Sequence, residues 1–261
     1  MIMAKTTRAA SILQKKDARK IFFDFWGEAA TSPRRSRDGI YSAYLFGPAG
    51  KRIQIILPDL RFNRSEILKP DLGGKSYSEW EKELAAAGKP VPGPYARNPE
   101  LKASMLGEDQ WRWLEAQLRL QADVRILGSS LQVIADFPGW EAWINYAQDH
   151  QRLIETIRKT KANGLICLSG DTHYGEISRL DANVPHTLWD FTSSGLTEVW
   201  PVLPPNALRV GEAFRARNFG LIDIGWDKVG GPNLRVDIRG EQGQIALSQN
   251  IDVASLRVGV A

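Results

Sequence analysis

The stretch Leu165-Ile-Cys-Leu-Ser-Gly-Asp-Thr-His-Tyr-Gly-Glu-Ile-Ser-Arg179 decides how this chain folds on paper. Leu165 to Leu168 is wholly apolar, which fits a strand buried on both faces. It runs directly into Ser169-Gly-Asp-Thr-His173. In an open α/β sheet, ligands bind in the loops past the carboxyl ends of the strands. Asp171 and His173, two residues apart there, can turn a carboxylate and an imidazole to one point. Oxygen and imidazole donors suit Zn, Fe or Mn. Gly170 gives the backbone freedom to turn or to approach a ligand. On its own, Gly-Asp-x-His is by default a solvated turn with a capping aspartate, so the flanking sequence has to decide.

Upstream, Trp140-Glu-Ala-Trp143 leads into a long helix reaching about Lys161. Ala147, His150, Leu153, Ile154 and Ile157 mark its buried side. Arg158, Lys159 and Lys161 suit the negative end of the helix dipole, and Asn163-Gly164 closes it. Val124 to Leu127 reads as a strand, followed by Gly128-Ser-Ser-Leu-Gln132. Glu108 to Leu120 reads as a helix with Trp111, Leu114 and Leu118 on one face. This strand–helix–strand rhythm predicts βαβ units and at least partly parallel strands. Ile40 to Phe46 and Arg52 to Leu57 read as strands joined at Gly47-Pro-Ala-Gly50. The second ends in Pro58-Asp-Leu-Arg-Phe-Asn-Arg64, where Asp59 and Arg61 serve either a site or a local salt bridge.

Lys69 to Pro99, rich in Gly and Pro, reads as a surface excursion of lid-like composition, with a helical piece at Tyr77 to Ala87. Asp17 to Trp26 predicts an amphipathic helix whose apolar stripe is Ala18, Ile21, Phe22, Phe25 and Trp26, ended by Gly27. Arg34, Arg35 and Arg37 fit a solvated charge run better than a phosphate cradle. Downstream the chain turns to β structure at Thr187 to Phe191, Gly220 to Ile224, Leu234 to Arg239 and Gln244 to Ser248. The last two form a hairpin across Gly240 to Gly243.

At 261 residues, 43% hydrophobic and 25% charged, the composition is that of a globular chain with a real core. A net charge of +4 is too small to argue for nucleic acid as a partner. The single cysteine, Cys167, excludes a disulfide framework and reads as a buried, inert thiol. Nine tryptophans favour a well-packed core or a site walled by aromatics. No run of about 18 apolar residues offers a membrane span, and Met1 to Lys16 is too short in apolar residues for an export signal. The chain as given is therefore expected to be cytoplasmic.

Several of these segments occur together in one order. Gly39-Ile-Tyr41, Asp59-Leu-Arg61, Leu106-Gly-Glu-Asp-Gln-Trp-Arg-Trp-Leu114, Ser129-Ser-Leu-Gln132 and Trp140-Glu-Ala-Trp143 come first. Gln151-Arg-Leu153, Leu168-Ser-Gly-Asp-Thr-His173, Thr192-Ser-Ser-Gly195 and Asn218-Phe-Gly220 follow. Over roughly Asp17 to Ser248 this set resembles the alkaline phosphatase D (PhoD-like) metallophosphatases. The resemblance implies an α/β fold, a calcineurin-like metallophosphoesterase sandwich of two mixed sheets flanked by helices. Residues 17–261 would be the C-terminal part of that domain, with residues 1–16 unplaced. It also implies hydrolysis of a small phosphate mono- or diester at a two-metal site of Fe, Ca, Zn or Mn. Asp171 and His173 fall on the family's metal-ligand motif. Asp59, Arg61, Gln132, Ser194 and Asn218 fall in family motifs that line the site or bind substrate. Enzymes resembling this one are often exported.

The departures are specific. The family places further ligands in an N-terminal half, in a Gly-Ser-Cys stretch, a Gly-Asp-x-x-Tyr loop and a Trp-Asp-Asp-His-Asp loop, none of which stands ahead of the Asp171 turn in this sequence. Pro58-Asp59-Leu60-Arg61 stands for Leu-Asp-Thr-Arg, and Asp149-His150 for a Glu-Arg pair. Two metal ions want roughly six or more protein ligands. Of the three histidines, His150 reads as a core or boundary residue and His186, after Pro185, as an exposed turn residue. Three functions follow as expectations: a metallophosphatase carrying part of its site here, a truncated and inactive remnant, or a basic module binding phosphate-bearing polymers. The last lacks interleaved aromatics, so no nucleic acid is expected. Missing strands would leave sheet surface uncovered and favour self-association.

Overall fold

Short apolar runs become the middle of a six-stranded sheet. The computed structural model describes residues 12–259 apart from 137, 201 and 227–230, so most of the unplaced segment at residues 1–16 lies outside it. The strands β1 (Ser42–Phe46), β2 (Ile53–Leu57), β3 (Val124–Gly128), β4 (Leu165–Ser169), β5 (Gly175–Leu180) and β6 (Leu188–Ser193) are ordered β1-β2-β3-β4-β6-β5. Strands β2, β3, β4 and β6 run parallel. β1 and β5 close the two edges antiparallel. Strand β5 carries no alternating apolar signature because Gly175-Glu-Ile-Ser-Arg-Leu180 buries Glu176 and Ser178 beside the apolar Ile177.

A second sheet holds β7 (Asn218–Gly225), β8 (Asn233–Gly240) and β9 (Ile245–Asp252). It is wholly antiparallel, not mixed as expected. The links at 226–232 and 241–244 are too short for the crossover that a parallel pair needs. The helices are α1 (Ile12–Phe25), α2 (Tyr77–Ala86), α3 (Glu108–Leu118) and α4 (Ala147–Thr160). α3 and α4 are the crossovers of β2–α3–β3 and β3–α4–β4. On that side Ile56, Leu114, Leu127, Leu153, Ile157 and Cys167 pack into one core. On the other side Val124, Ile126, Ile166 and Phe191 meet Leu234, Val236, Ile238 and Ile251 of the small sheet. Cys167 is fully buried, and burial raises its thiol well above the usual range, as an inert core thiol requires.

Three local expectations are corrected. The α1 stripe faces outward: Ile21, Phe25 and Trp26 are 67%, 78% and 69% exposed. The helix docks instead through Phe23, which is buried under the guanidinium groups of Arg34 and Arg35. The basic loop is neither solvated nor a phosphate cradle. Arg34 pairs with Glu28 at 2.5 Å, Arg35 with Asp24 at 2.7 Å, and Arg37 lies on the Tyr41 ring. His186 is buried, drawn into the core by Leu188 at the start of β6, with Nδ1 2.8 Å from the Thr187 carbonyl. His150 does sit at the boundary, and its Nε2 is buried without a partner. Its neighbour Asp149 lies on the buried face of α4, accepting Ser104 Oγ, the Met105 amide and Trp111 Nε1.

The small sheet packs on β3, β4, β5 and β6, and on β2 only through Ile53. Tyr44, Phe46 and Leu57 share one face with Ile53 and Ile55 through the β1–β2 register. They are exposed. Among the described residues, no helix is long and apolar enough to cross a membrane.

Candidate metal-ligand turn

Because β4 and β6 are parallel neighbours, the chain leaves both at the same edge. The turn at 170–173 thereby meets the loop at 193–195. Gly170 is not the residue under conformational demand. Asp171 and His173 hold the left-handed backbone, at φ 74° and 61°. Such positions cost side-chain-bearing residues roughly 1–3 kcal/mol each unless surrounding contacts enforce them. Ser194 supplies those contacts. Its Oγ accepts the His173 amide at 2.9 Å and lies 3.3 Å from Thr172 Oγ1. The Trp200 amide donates to the His173 carbonyl at 3.0 Å.

Arg61 reaches the turn from the loop after β2. Its Nη2 lies 3.8 Å from Asp171 Oδ1, and its Nη1 lies 2.5 Å from Glu141 Oε2. The same Glu141 oxygen holds Arg64 Nη1 at 2.8 Å. Charges thus alternate along Arg64, Glu141, Arg61 and Asp171. Lost hydration raises the Asp171 carboxyl above its ordinary range, Arg61 and His173 pull it down, and Glu141 pushes it up. The His173 ring makes no hydrogen bond among the described residues, which leaves both nitrogens free for a ligand.

The other residues singled out in the sequence support this turn from below. Asp59 is buried and its carboxylate accepts the amides of Ile40, Arg61 and Phe62 at 2.9–3.0 Å, fixing the loop that carries Arg61. Gln132 is buried and donates to Glu176 Oε1 at 2.6 Å and Thr192 Oγ1 at 3.1 Å. Asn218 bridges Ser193 Oγ and the Ala216 carbonyl, and it fits only because residue 195 is glycine: a Cβ there would lie 2.2 Å from Asn218 Nδ2. So Asp171, His173, Arg61 and Ser194 come together, and Asp59, Gln132 and Asn218 form the scaffold.

Glu141 and Arg64 were not singled out, although both lie inside quoted segments; an acid between two tryptophans carries no pattern that tells a clamp from a solvated charge. The pair of buried Glu176 and half-buried Arg209, 2.5 Å apart, was likewise invisible because its members lie 33 positions apart. An aromatic row flanks the site, with ring centres of Trp200 and Trp140 6.0 Å apart and of Trp140 and Tyr77 6.1 Å apart. The excursion at 69–99 is thereby tied to the loop around His173.

Among the described residues, no group of three or more His, Cys, Asp or Glu side chains is arranged to hold a metal ion. Asp171 and His173 are two donors, and Glu141 is engaged by two arginines. The described residues alone do not fit a two-metal centre.

In comparisons with known proteins, a solved structure described as "Structure of PhoD" superposes with a TM-score of 0.56 at 13% sequence identity. It covers 92% of this chain and 49% of that chain. At that identity the likeness is one of fold, and the chain spans about half the length of the solved one. No curated protein matches. The PhoD-like phosphatase family matches residues 4–215, which take in the Asp171 turn, the Arg61 loop and Glu141. The chain belongs to the PhoD-like phosphatase family.

Proposed function

We propose that this chain carries one side of the centre of a metal-dependent phosphoric ester hydrolase with a calcineurin-like fold. Family membership supports the chemistry. The observation that carries the site is the left-handed turn at Asp171 and His173, held by Ser194 beside Arg61. Strain enforced at two positions past a strand's carboxyl end suits side chains that must be preorganised. In this reading Asp171 and His173 are metal ligands. Arg61, half exposed, offers its planar fork to the phosphoryl oxygens of a small ester. The remaining donors of a two-metal site come from polypeptide other than the described residues, so no catalytic step is assigned to this chain alone.

Calorimetric titration with Mn²⁺ or Zn²⁺ tests the ligand roles. One weak site is expected, abolished in Asp171→Ala and in His173→Ala. Two tight sites, or one indifferent to both substitutions, would contradict the assignment.

A second reading, a catalytically silent family member, is favoured by one observation: the acids beside the turn, Asp171 and Glu141, already have arginine partners. Supplying the missing half of the fold separates the two readings. We also propose that the exposed apolar faces of α1 and of the β1–β2 hairpin make the isolated chain self-associate.

A further inference from the structure

We propose that the cleft at the amino ends of β2 and β3, opposite the Asp171 turn, is a second, non-catalytic site for a phosphate-class oxyanion. The cleft has a volume of about 460 Å³ and is lined by Arg52, Arg119, Arg125, Lys161 and Asp123, together with backbone. That is in the range of small-ligand sites.

Arg125 is only 4% exposed. Its guanidinium donates to the carbonyls of Leu120, Ala122 and Asn163 at 2.5–2.9 Å, while its Nε is buried with no partner. No acid among the described residues forms an ion pair with it. Arg52 uses only its backbone, whose amide donates to Asp123 Oδ2 at 2.8 Å, and its guanidinium has no partner among the described residues. Lys161 also has no partner for its ammonium among the described residues. It occupies the left-handed cap of α4 at φ 54°, a position where glycine or asparagine is the usual residue. A lysine there carries a backbone cost and places a free ammonium at the rim of the cleft. Arg119 is the exception, paired with Glu115 at 2.7 Å.

The opposing charges are Asp123, Glu115 and the carboxyl ends of α3 and α4, each helix end equivalent to about half a negative charge. They leave an excess of about one positive charge in the cleft. Arginine and lysine residues lining one hollow suit phosphate oxygens. With Asp123 occupied by the Arg52 amide, no group there is placed to act as a base, so the site binds and does not turn over.

Thermal unfolding of the full chain with pyrophosphate at low ionic strength is the test. At about 10 mM the anion is expected to raise Tm by about 2–4 °C. Arg52→Gln/Lys161→Asn should abolish the rise; the first leaves the backbone bond intact and the second suits a left-handed cap, so folding is preserved. Arg61→Ala/Asp171→Ala should retain it, which separates this cleft from the site proposed above. No rise with pyrophosphate, an equal rise from sodium chloride at matched ionic strength, a rise unchanged in the cleft variant, or one lost in the Asp171 variant would overturn the proposal.

Discussion

Asp190 and His150 pull the pH dependence of stability in opposite directions. Asp190 is fully buried. Its Oδ2 accepts the Val133 and Ile134 amides at 2.6 and 3.2 Å, and its Oδ1 has no partner. Burial pushes its carboxyl up to about 6 from 3.8. Between those values the folded state holds a proton that the unfolded chain has lost, so stability falls as pH rises through about 4–6, by roughly 3 kcal/mol. Burial lowers His150 to about 4 from 6.5, and Arg97 adds to the effect. Here the unfolded chain takes up the proton first, so stability rises with pH over about 4–6.5, by a comparable amount. His186 is lowered too, again chiefly by burial. His186 thus adds to the rise, and the raised Asp171 carboxyl to the fall. Urea unfolding of Asp190→Asn should show a steeper rise between pH 4 and 6, and His150→Leu a shallower one or a fall. Unchanged slopes in both variants would show that neither group titrates in that window. Ser194→Ala should cost about 1 kcal/mol by freeing the His173 amide, and should halve or worse the affinity for any metal bound at the turn.

At the scale of elements, the run at 165–168 was legible because burial on both faces leaves a continuous hydrophobic signature, and the strand at 124–127 through Val124, Ile126 and Leu127 around the buried Arg125. The α1 stripe shows the limit of periodicity. Its spacing announces an apolar face but not what covers it, and here the single buried ring is Phe23. Strand β5 was hidden for the converse reason: Glu176 and Ser178 are inward-facing polar residues satisfied by Asn206 and Arg209, which lie some thirty residues further on. The turn itself was legible as a motif, whereas its clamp of Arg61, Glu141 and Arg64 depends on contacts spanning up to 80 positions. The excursion's attachment makes a test at this scale. Gly139 has φ 70°, and a Cβ on it would lie 2.5 Å from the Gly93 amide nitrogen. Gly139→Ala should destabilise the chain by about 1–3 kcal/mol and speed proteolysis within residues 69–99. A protease-resistant variant of wild-type stability would mean that this contact does not hold the excursion down.

For the whole molecule, two apolar surfaces lack a cover among the described residues: Ile21, Phe25 and Trp26 on and just after α1, and Tyr44, Phe46 and Leu57 on the β1–β2 face. The small sheet has only three strands against six. The solved PhoD chain is about twice as long as the part this chain matches. Light scattering coupled to size exclusion should therefore find oligomers that bind an apolar dye. Tyr44→Lys/Phe46→Lys should shift them towards monomer without loss of unfolding free energy. A dye-silent monomer in the unmodified chain would count against uncovered faces.

The central claim is that Asp171 and His173 are half of a centre completed from elsewhere. The most direct measurement is metal-dependent hydrolysis of p-nitrophenyl phosphate by the chain alone, and by the chain fused to or mixed with the part of PhoD that it does not match. The account predicts no turnover above a metal-containing blank for the chain alone. It predicts turnover on complementation, and loss of that gain in Asp171→Ala/His173→Ala. Robust turnover by the 261-residue chain itself, abolished by Asp171→Ala, would contradict it.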